Sequence, residues 1–233
     1  MNSADVVVKL ADVSRLYLQG TAEVHALAHI DLDIRRGDFA VLVGPSGSGK
    51  TTLLNVIGGL DSPTEGHVWV DGTEIGQLGK SALAEIRLRK IGFVFQEFNL
   101  IPVLSALENV EFVMLLQGVS QVQRRTRAYA LLRDLGLEGL ENRRPQQLSG
   151  GQQQRVAVAR AIAAEPIIVL PDEPTANLDS KAGAALMDMM KALNEQRGVT
   201  FVFSTHDPMV VERARRVIHL RDGRIEADDQ GAR

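Results

Sequence analysis

The sequence predicts an α/β fold with a mainly parallel sheet, an antiparallel β subdomain at its N-terminal end and an inserted α-helical subdomain. Three observations carry this. Up to Ile75 the chain is β-rich, with stretches that alternate apolar and polar residues with period two. The short runs FAVLV (39–43), PIIVL (166–170) and TFVFS (200–204) are continuously apolar, as strands buried on both faces are. Helix-periodic segments lie between those runs, and a crossover of that kind joins parallel strands.

In chain order, Val6–Leu10 and His25–Ile34 read as alternating strands, and Phe39–Val43 as a buried one leading through GPSGSGKTTLLNVIGGL into a helix. HVWVDGTEI (67–75) centres a hairpin on Asp71-Gly72. The middle of the chain turns rich in Leu, Glu, Gln and Arg at helical spacing, as in VQRRTRAYALLRDLGL. PIIVL restarts the strand–helix alternation, and SKAGAALMDMMKALNEQRG is a helix ended by Gly198. After TFVFS, Asp207-Pro208 supplies an N-cap with proline at the first helical position. VIHLRDGRIEA closes the chain with a hairpin at Asp222-Gly223. The expected organisation is one domain over 1–233, with a core of 1–96 and 153–233 and a helical subdomain of 97–152.

Composition excludes several classes. The 233 residues are 45% hydrophobic and 24% charged with net charge −3, so no global basic field points to nucleic acid. Without cysteine there is neither a disulfide nor a thiolate metal site. The N-terminus lacks the basic start and apolar core of a secretory signal, and no apolar run is long enough to span a bilayer. The expectation is a soluble chain that reaches a membrane only through a partner.

Two stretches carry chemistry. GPSGSGKT (Gly44, Pro45, Ser46, Gly47, Ser48, Gly49, Lys50, Thr51) follows a buried strand and opens a helix, the context that a phosphate-binding loop requires. Its glycines permit a tight backbone whose N–H groups face phosphate oxygens, and the helix adds the positive end of its dipole. Lys50 is placed for the β- and γ-phosphates and Thr51 for Mg²⁺. The α/β unit therefore reads as a P-loop NTPase core. In IIVLPDEP (167–174), Asp172 at the strand end is placed to hold the Mg²⁺ shell, and Glu173 to polarise an attacking water. Pro171 is unexpected there, because proline removes a ladder donor. It either ends the strand one residue early or shifts the two acids.

The motifs in order are the phosphate loop, FVFQEFNL with Gln96, LSGGQ (Leu148–Gln152), the Asp172-Glu173 pair, ANLD (176–179) and STHD (204–207). Together they resemble the ATP-binding subunit of an ABC transporter over essentially the whole chain. The resemblance implies ATP and Mg²⁺ as ligands and a head-to-tail homodimer in the ATP-bound state. Ser149, Gly150, Gly151 and Gln152 of one subunit would then cap the nucleotide held by the other, using a glycine-lined helix start as an anion site. Further implied roles are adenine stacking for Tyr17, a Mg²⁺ or water contact for Gln96, a γ-phosphate contact for His206, cross-dimer communication for Asp179 and an inner-phosphate contact for Thr52. Glu173 would drive hydrolysis, and Asp172, Thr51 and Gln96 would serve the metal. His25, His29, His67 and His219 are expected to be inert, and the basic runs QRRTR and ENRRP to be solvated faces.

The phrases EFNLIPVLSALENVEF, IGGLDSPTEG and DEPTANLD resemble the branch of lipoprotein-releasing and macrolide-type exporters and the cell-division ATPase. That implies a peripheral subunit on the cytoplasmic face of the inner membrane, partnered with an integral-membrane permease bearing a large extracytoplasmic domain. Its work would be export, extraction or force transmission, and its docking contacts Phe98, Leu100 and Ile101. The rival expectation is a soluble ABC ATPase of the cluster-assembly type.

Overall fold

The computed structural model describes residues 5–20 and 22–230. Its elements are β1 (Val6–Gln19), β2 (Ala22–Arg35), β3 (Phe39–Val43), α1 (Lys50–Ile57), β4 (Glu65–Val70), β5 (Thr73–Glu74), α2 (Lys80–Lys90) and β6 (Ile91–Val94). There follow α3 (Ala106–Leu116), α4 (Gln121–Asp134), α5 (Gly150–Ala163), β7 (Ile168–Pro171), α6 (Ser180–Arg197), β8 (Phe201–Ser204), α7 (Pro208–Val211), β9 (Arg216–Arg221) and β10 (Arg224–Gln230). An antiparallel sheet of order β2-β1-β4-β5 packs beside a six-stranded sheet of order β10-β9-β3-β8-β7-β6. The second sheet is parallel except for its β9–β10 hairpin.

The parallel sheet is buried on both faces, which is why its strands read as unbroken apolar runs. Phe39, Val41, Val169, Phe201 and Phe203 point into one core, shared with α3 to α6. Ala40, Leu42, Ile168, Leu170 and Val202 point into the other, shared with α1 and the antiparallel sheet. Phe39 meets Phe203 edge to face, with ring centroids 4.7 Å apart.

The helices begin where their caps say. Ser105 and Ser149 each form a reciprocal capping box, with Glu108 and Gln152, and Asp179 caps α6 by accepting from the Ala182 N–H at 2.8 Å. Gly198 ends α6 at φ 65°. Both expected hairpins form, with Asp71-Gly72 and Asp222-Gly223 at positive φ as a tight two-residue turn requires.

Three features differ from the sequence reading. β1 is 14 residues long rather than five, because register shifts between Leu10 and Arg15 break the alternation that marks a strand. Helix α2 has no buried residue, so it carries little apolar periodicity to read. Pro171 neither ends β7 early nor displaces the acids. It pairs with Val94 in register, and the same β7–β8 offset holds at Val169–Phe201 and at Asp172–Ser204. The ladder loses one donor and resumes with the Glu173 N–H to the Ser204 carbonyl at 3.0 Å.

No helix among the described residues is long and apolar enough to cross a membrane.

Candidate active site

Buried β3 delivers the phosphate loop to the carboxyl edge of the parallel sheet, where ligands of open α/β sheets bind. Two glycines there are obligatory. A Cβ on Gly44 would lie 2.1 Å from the Leu220 carbonyl oxygen, and one on Gly49 would lie 2.5 Å from that of Ala26, where φ is 103°. The loop is braced by the β9–β10 turn, since the Gly223 N–H donates to the Ser48 carbonyl (3.1 Å) and the Ala28 N–H to the Gly223 carbonyl (2.8 Å). Buried Arg216 anchors that hairpin, donating to the Asp33 carbonyl at 2.8 Å and pairing with Asp38 and Asp228.

Lys50, the first residue of α1, donates through Nζ to the Gly44 and Pro45 carbonyls at 2.8 and 3.1 Å. Thr51 Oγ1 donates to Asp172 Oδ1 at 3.1 Å, and Ser204 Oγ donates to the same oxygen. Beside them Glu173 sits in the left-handed region at φ 47°. Its Oε1 lies 2.9 Å from His206 Nδ1, and its Oε2 accepts from Thr205 Oγ1 at 3.3 Å. Glu173 is thus aimed by two residues of the loop that follows β8.

The phosphate loop, Thr52, Gln96, Glu173 and His206 line one open cavity of about 580 Å³, with Asp172 at its floor through Thr51. Val24, His25 and Ala26 of β2 line it too. His25, expected to be inert, therefore faces the site; nothing local to HALAH announced this, because the approach of β2 to the loop is a tertiary event.

Other expected residues lie apart from this cavity. Tyr17 is not among its lining residues. The Arg15 guanidinium lies 4.5 Å from its ring centroid, and its hydroxyl donates to Asp61. Ser149 to Gln152 open α5 away from the cavity, where a Cβ on Gly150 would lie 3.6 Å from the Asn177 carbonyl. Asp179 is the N-cap of α6.

The donor set fits a nucleotide triphosphate. Gly44 and Gly49 let the loop pack where a Cβ would strike the backbone of Leu220 and Ala26, and Lys50 and the α1 N-terminus supply positive potential. Thr51 and Asp172 offer Mg²⁺ one hydroxyl and one carboxylate, the partial shell that this ion completes with phosphate oxygens and water. Among the described residues no group of three or more His, Cys, Asp or Glu could hold a metal alone.

A family model described as ABC transporter matches residues 27–176. The chain belongs to this family. An ABC transporter ATP-binding protein of Methanocaldococcus jannaschii, MJ0796, is 48% identical over 228 residues, covering 96% of this chain and 97% of that protein. The macrolide export ATP-binding/permease protein MacB of Syntrophobacter fumaroxidans is 48% identical over 225 residues; these span 95% of this chain but 31% of that protein. A dimeric structure of MJ0796, in a post-hydrolysis state bound to ADP and Pi, superposes with TM-score 0.89 at 47% identity, covering 97% of this chain and 99% of that one. This ABC cassette is accordingly an ATP-binding α/β ATPase, and its relatives include the macrolide-exporter type that its own phrases resemble.

Proposed function

We propose that this cassette hydrolyses Mg²⁺-bound ATP in a head-to-tail homodimer and transmits the opening and closing of that dimer to a membrane permease. The observation that carries the reading is a division of the site. Phosphate loop, Glu173 and His206 line one cavity, with Asp172 bound to Thr51 beside it, whereas Ser149 to Gln152 lie outside its lining at a helix start. A second copy, turned head to tail, supplies the missing anion site to each cavity. The MJ0796 structure supports pairing, as a relative that is dimeric in a post-hydrolysis state bound to ADP and Pi.

In this reading Gly44 to Thr52 bind the phosphates and Lys50 neutralises the β- and γ-oxygens. Asp172 and Thr51 hold Mg²⁺, with Gln96 completing contact to metal or water. Bound there, Mg²⁺ would supply charge neutralisation at the phosphoryl oxygens. Glu173, oriented by Thr205 and His206, polarises the attacking water, and His206 reads the γ-phosphate. Asp179 and the partner's copy of the LSGGQ segment close over the nucleotide, and loss of the γ-phosphate releases them. Tyr17 stacks on adenine once its ring leaves Arg15, and residues 97–152 move as a helical subdomain together with the rest of α5.

The permease engages an apolar groove of about 390 Å³ between the two subdomains, lined by Leu60, Leu88, Phe93, Phe112 and Leu116. Leu60 and Leu116 are 48% and 57% exposed there. Phe98, Leu100 and Ile101, the contacts expected from the sequence, are half-buried and not among the groove's lining residues, although Asn99 between them is. The setting is the cytoplasmic face of the inner membrane, and the permease is of the type with a large extracytoplasmic domain. Its substrate is exported or extracted.

The Glu173→Gln variant tests both halves. Turnover is expected to fall by at least 100-fold with ATP binding retained, read by phosphate release and by equilibrium binding; normal turnover removes Glu173 from its role. Captured with ATP from detergent-solubilised host membranes, the same variant is expected to bring a permease with a large extracytoplasmic domain. Recovery of soluble proteins alone, with membrane extraction verified, turns the assignment to a soluble ATPase.

A further inference from the structure

We infer that Gln154 is a positioning residue for hydrolysis, holding the backbone beside Glu173 from the core of α5. This rests on the reading of Glu173 as the group that activates water.

Gln154 is fully buried on a helix whose neighbouring residues Val156 to Ala159 belong to the main core. Its Nε2 donates to the Pro174 carbonyl at 3.0 Å. Its Oε1 is buried with no partner. A buried acceptor left unpaired is destabilising, so an apolar residue of the same length would serve the core better. The bond to Pro174 is the one contact for which the amide is needed.

Pro174 follows a residue under strain. Glu173 has φ 47°, a region that a glutamate occupies only when its surroundings over-determine it. The restraints are few and specific. The Glu173 N–H is held by the Ser204 carbonyl at 3.0 Å, and the Glu173 carbonyl accepts from the Ala176 N–H at 3.2 Å. Thr175 Oγ1 donates to Asp207 Oδ2 at 3.2 Å. Pro174 has no N–H, so its carbonyl is its only backbone hydrogen-bonding handle, and Gln154 takes it. Without that anchor the 174–175 peptide, whose oxygen Gln154 holds, is free to rotate, and the backbone at Glu173 relaxes towards ordinary geometry, which swings its carboxylate away from Thr205 and His206.

Gln154 also lies one helical turn after Gly150, on the same rigid helix. The helix whose first residues meet the partner's nucleotide thus grips, a turn later, the backbone next to this subunit's own carboxylate. A displacement of the α5 N-terminus on dimer closure reaches Glu173 through one hydrogen bond.

The test is Gln154→Met, which keeps length and removes the donor, with Gln154→Leu as the second variant in case the thioether leaves too little folded protein. Turnover per ATP-binding site, KM, ATP affinity and Tm are measured for each beside wild type and Glu173→Gln. The expected result is a kcat lowered about ten-fold with KM, ATP affinity and Tm preserved, and a Gln154→Met/Glu173→Gln double variant no slower than Glu173→Gln alone. A Gln154 variant that turns over at the wild-type rate per ATP-binding site, with Glu173→Gln inactive, overturns this inference and leaves the role of Glu173 standing. So does a loss confined to Tm and to the fraction of ATP-binding protein, the mark of a merely structural residue. Normal turnover by Glu173→Gln overturns both.

Discussion

The phosphate loop and the segment from Glu173 to Asp179 face the same nucleotide, yet they are held in opposite ways. The loop is shaped locally: Gly44, Gly47 and Gly49 take positive φ, and the side chain of Lys50 folds back on carbonyls five and six residues away. The second segment takes its shape from a distance. Its backbone and side chains are tied to Gln154, to the Gln96 carbonyl through Asn177 (2.9 Å), to Asp207 through Thr175, and to Ser204. A binding site that must exist before ATP arrives is served by a stiff loop, shaped by its own glycines and braced by the β9–β10 turn. A carboxylate that must respond to a second subunit is better served by tethers reaching into elements that move.

That contrast predicts a graded series of outcomes. The largest effect belongs to the loop. Gly49→Ala forces a Cβ against the Ala26 carbonyl at φ 103°, so ATP affinity is expected to drop more than 100-fold, with stability lower by about 2 kcal/mol. Isothermal titration and thermal melting measure both, and an intact affinity would show that the loop is not as rigid as its geometry requires.

Arg160→Met probes a tether of the neighbouring Gln96 loop. Burial holds this guanidinium below the usual arginine range, and it donates to the carbonyls of Phe98, at 3.0 Å, and Asn99, both at positive φ. Hydrogen bonds from a charged donor contribute about 1.5–3 kcal/mol, so amide protection over residues 96–101 should fall roughly ten- to a hundred-fold. Hydrogen-exchange mass spectrometry reads this, and ATP affinity should stay unchanged. Equal loss of protection in the phosphate loop would erase the distinction between the two regions.

The smallest effect is expected from Asn177→Ala. It removes one partly exposed hydrogen bond to the Gln96 carbonyl, worth about 0.5–1.5 kcal/mol. Steady-state kinetics should record a kcat reduced by roughly two- to ten-fold with KM unmoved. A change in KM instead would place Asn177 with the binding hardware.

Legibility in the sequence follows the same line. The Asp207-Pro208 cap, the Gly198 stop and the two Asp-Gly turns were readable because each is settled within a few residues. Helix α2 was not, because it buries nothing and so leaves no period. The length of β1 was hidden by its bulges. For Pro171 the residues left the outcome open, and neighbouring strands decided it by keeping register on both sides. Tyr17 was placed by its motif, but its partners Arg15 and Asp61 come together only when β1 meets the loop after α1.

By itself the sequence determined the fold class, the phosphate loop, the order of the motifs and the resemblance to an ABC ATPase. These rest on short-range constraints: which residues tolerate positive φ, which runs are buried on both faces, which side chain caps which helix. Only the tertiary structure decided that the β9–β10 turn braces the phosphate loop, that His25 faces the cavity and that Gln154 holds Pro174. Each of those contacts joins residues far apart in the chain, where a side chain's partner is fixed by how sheets and helices pack.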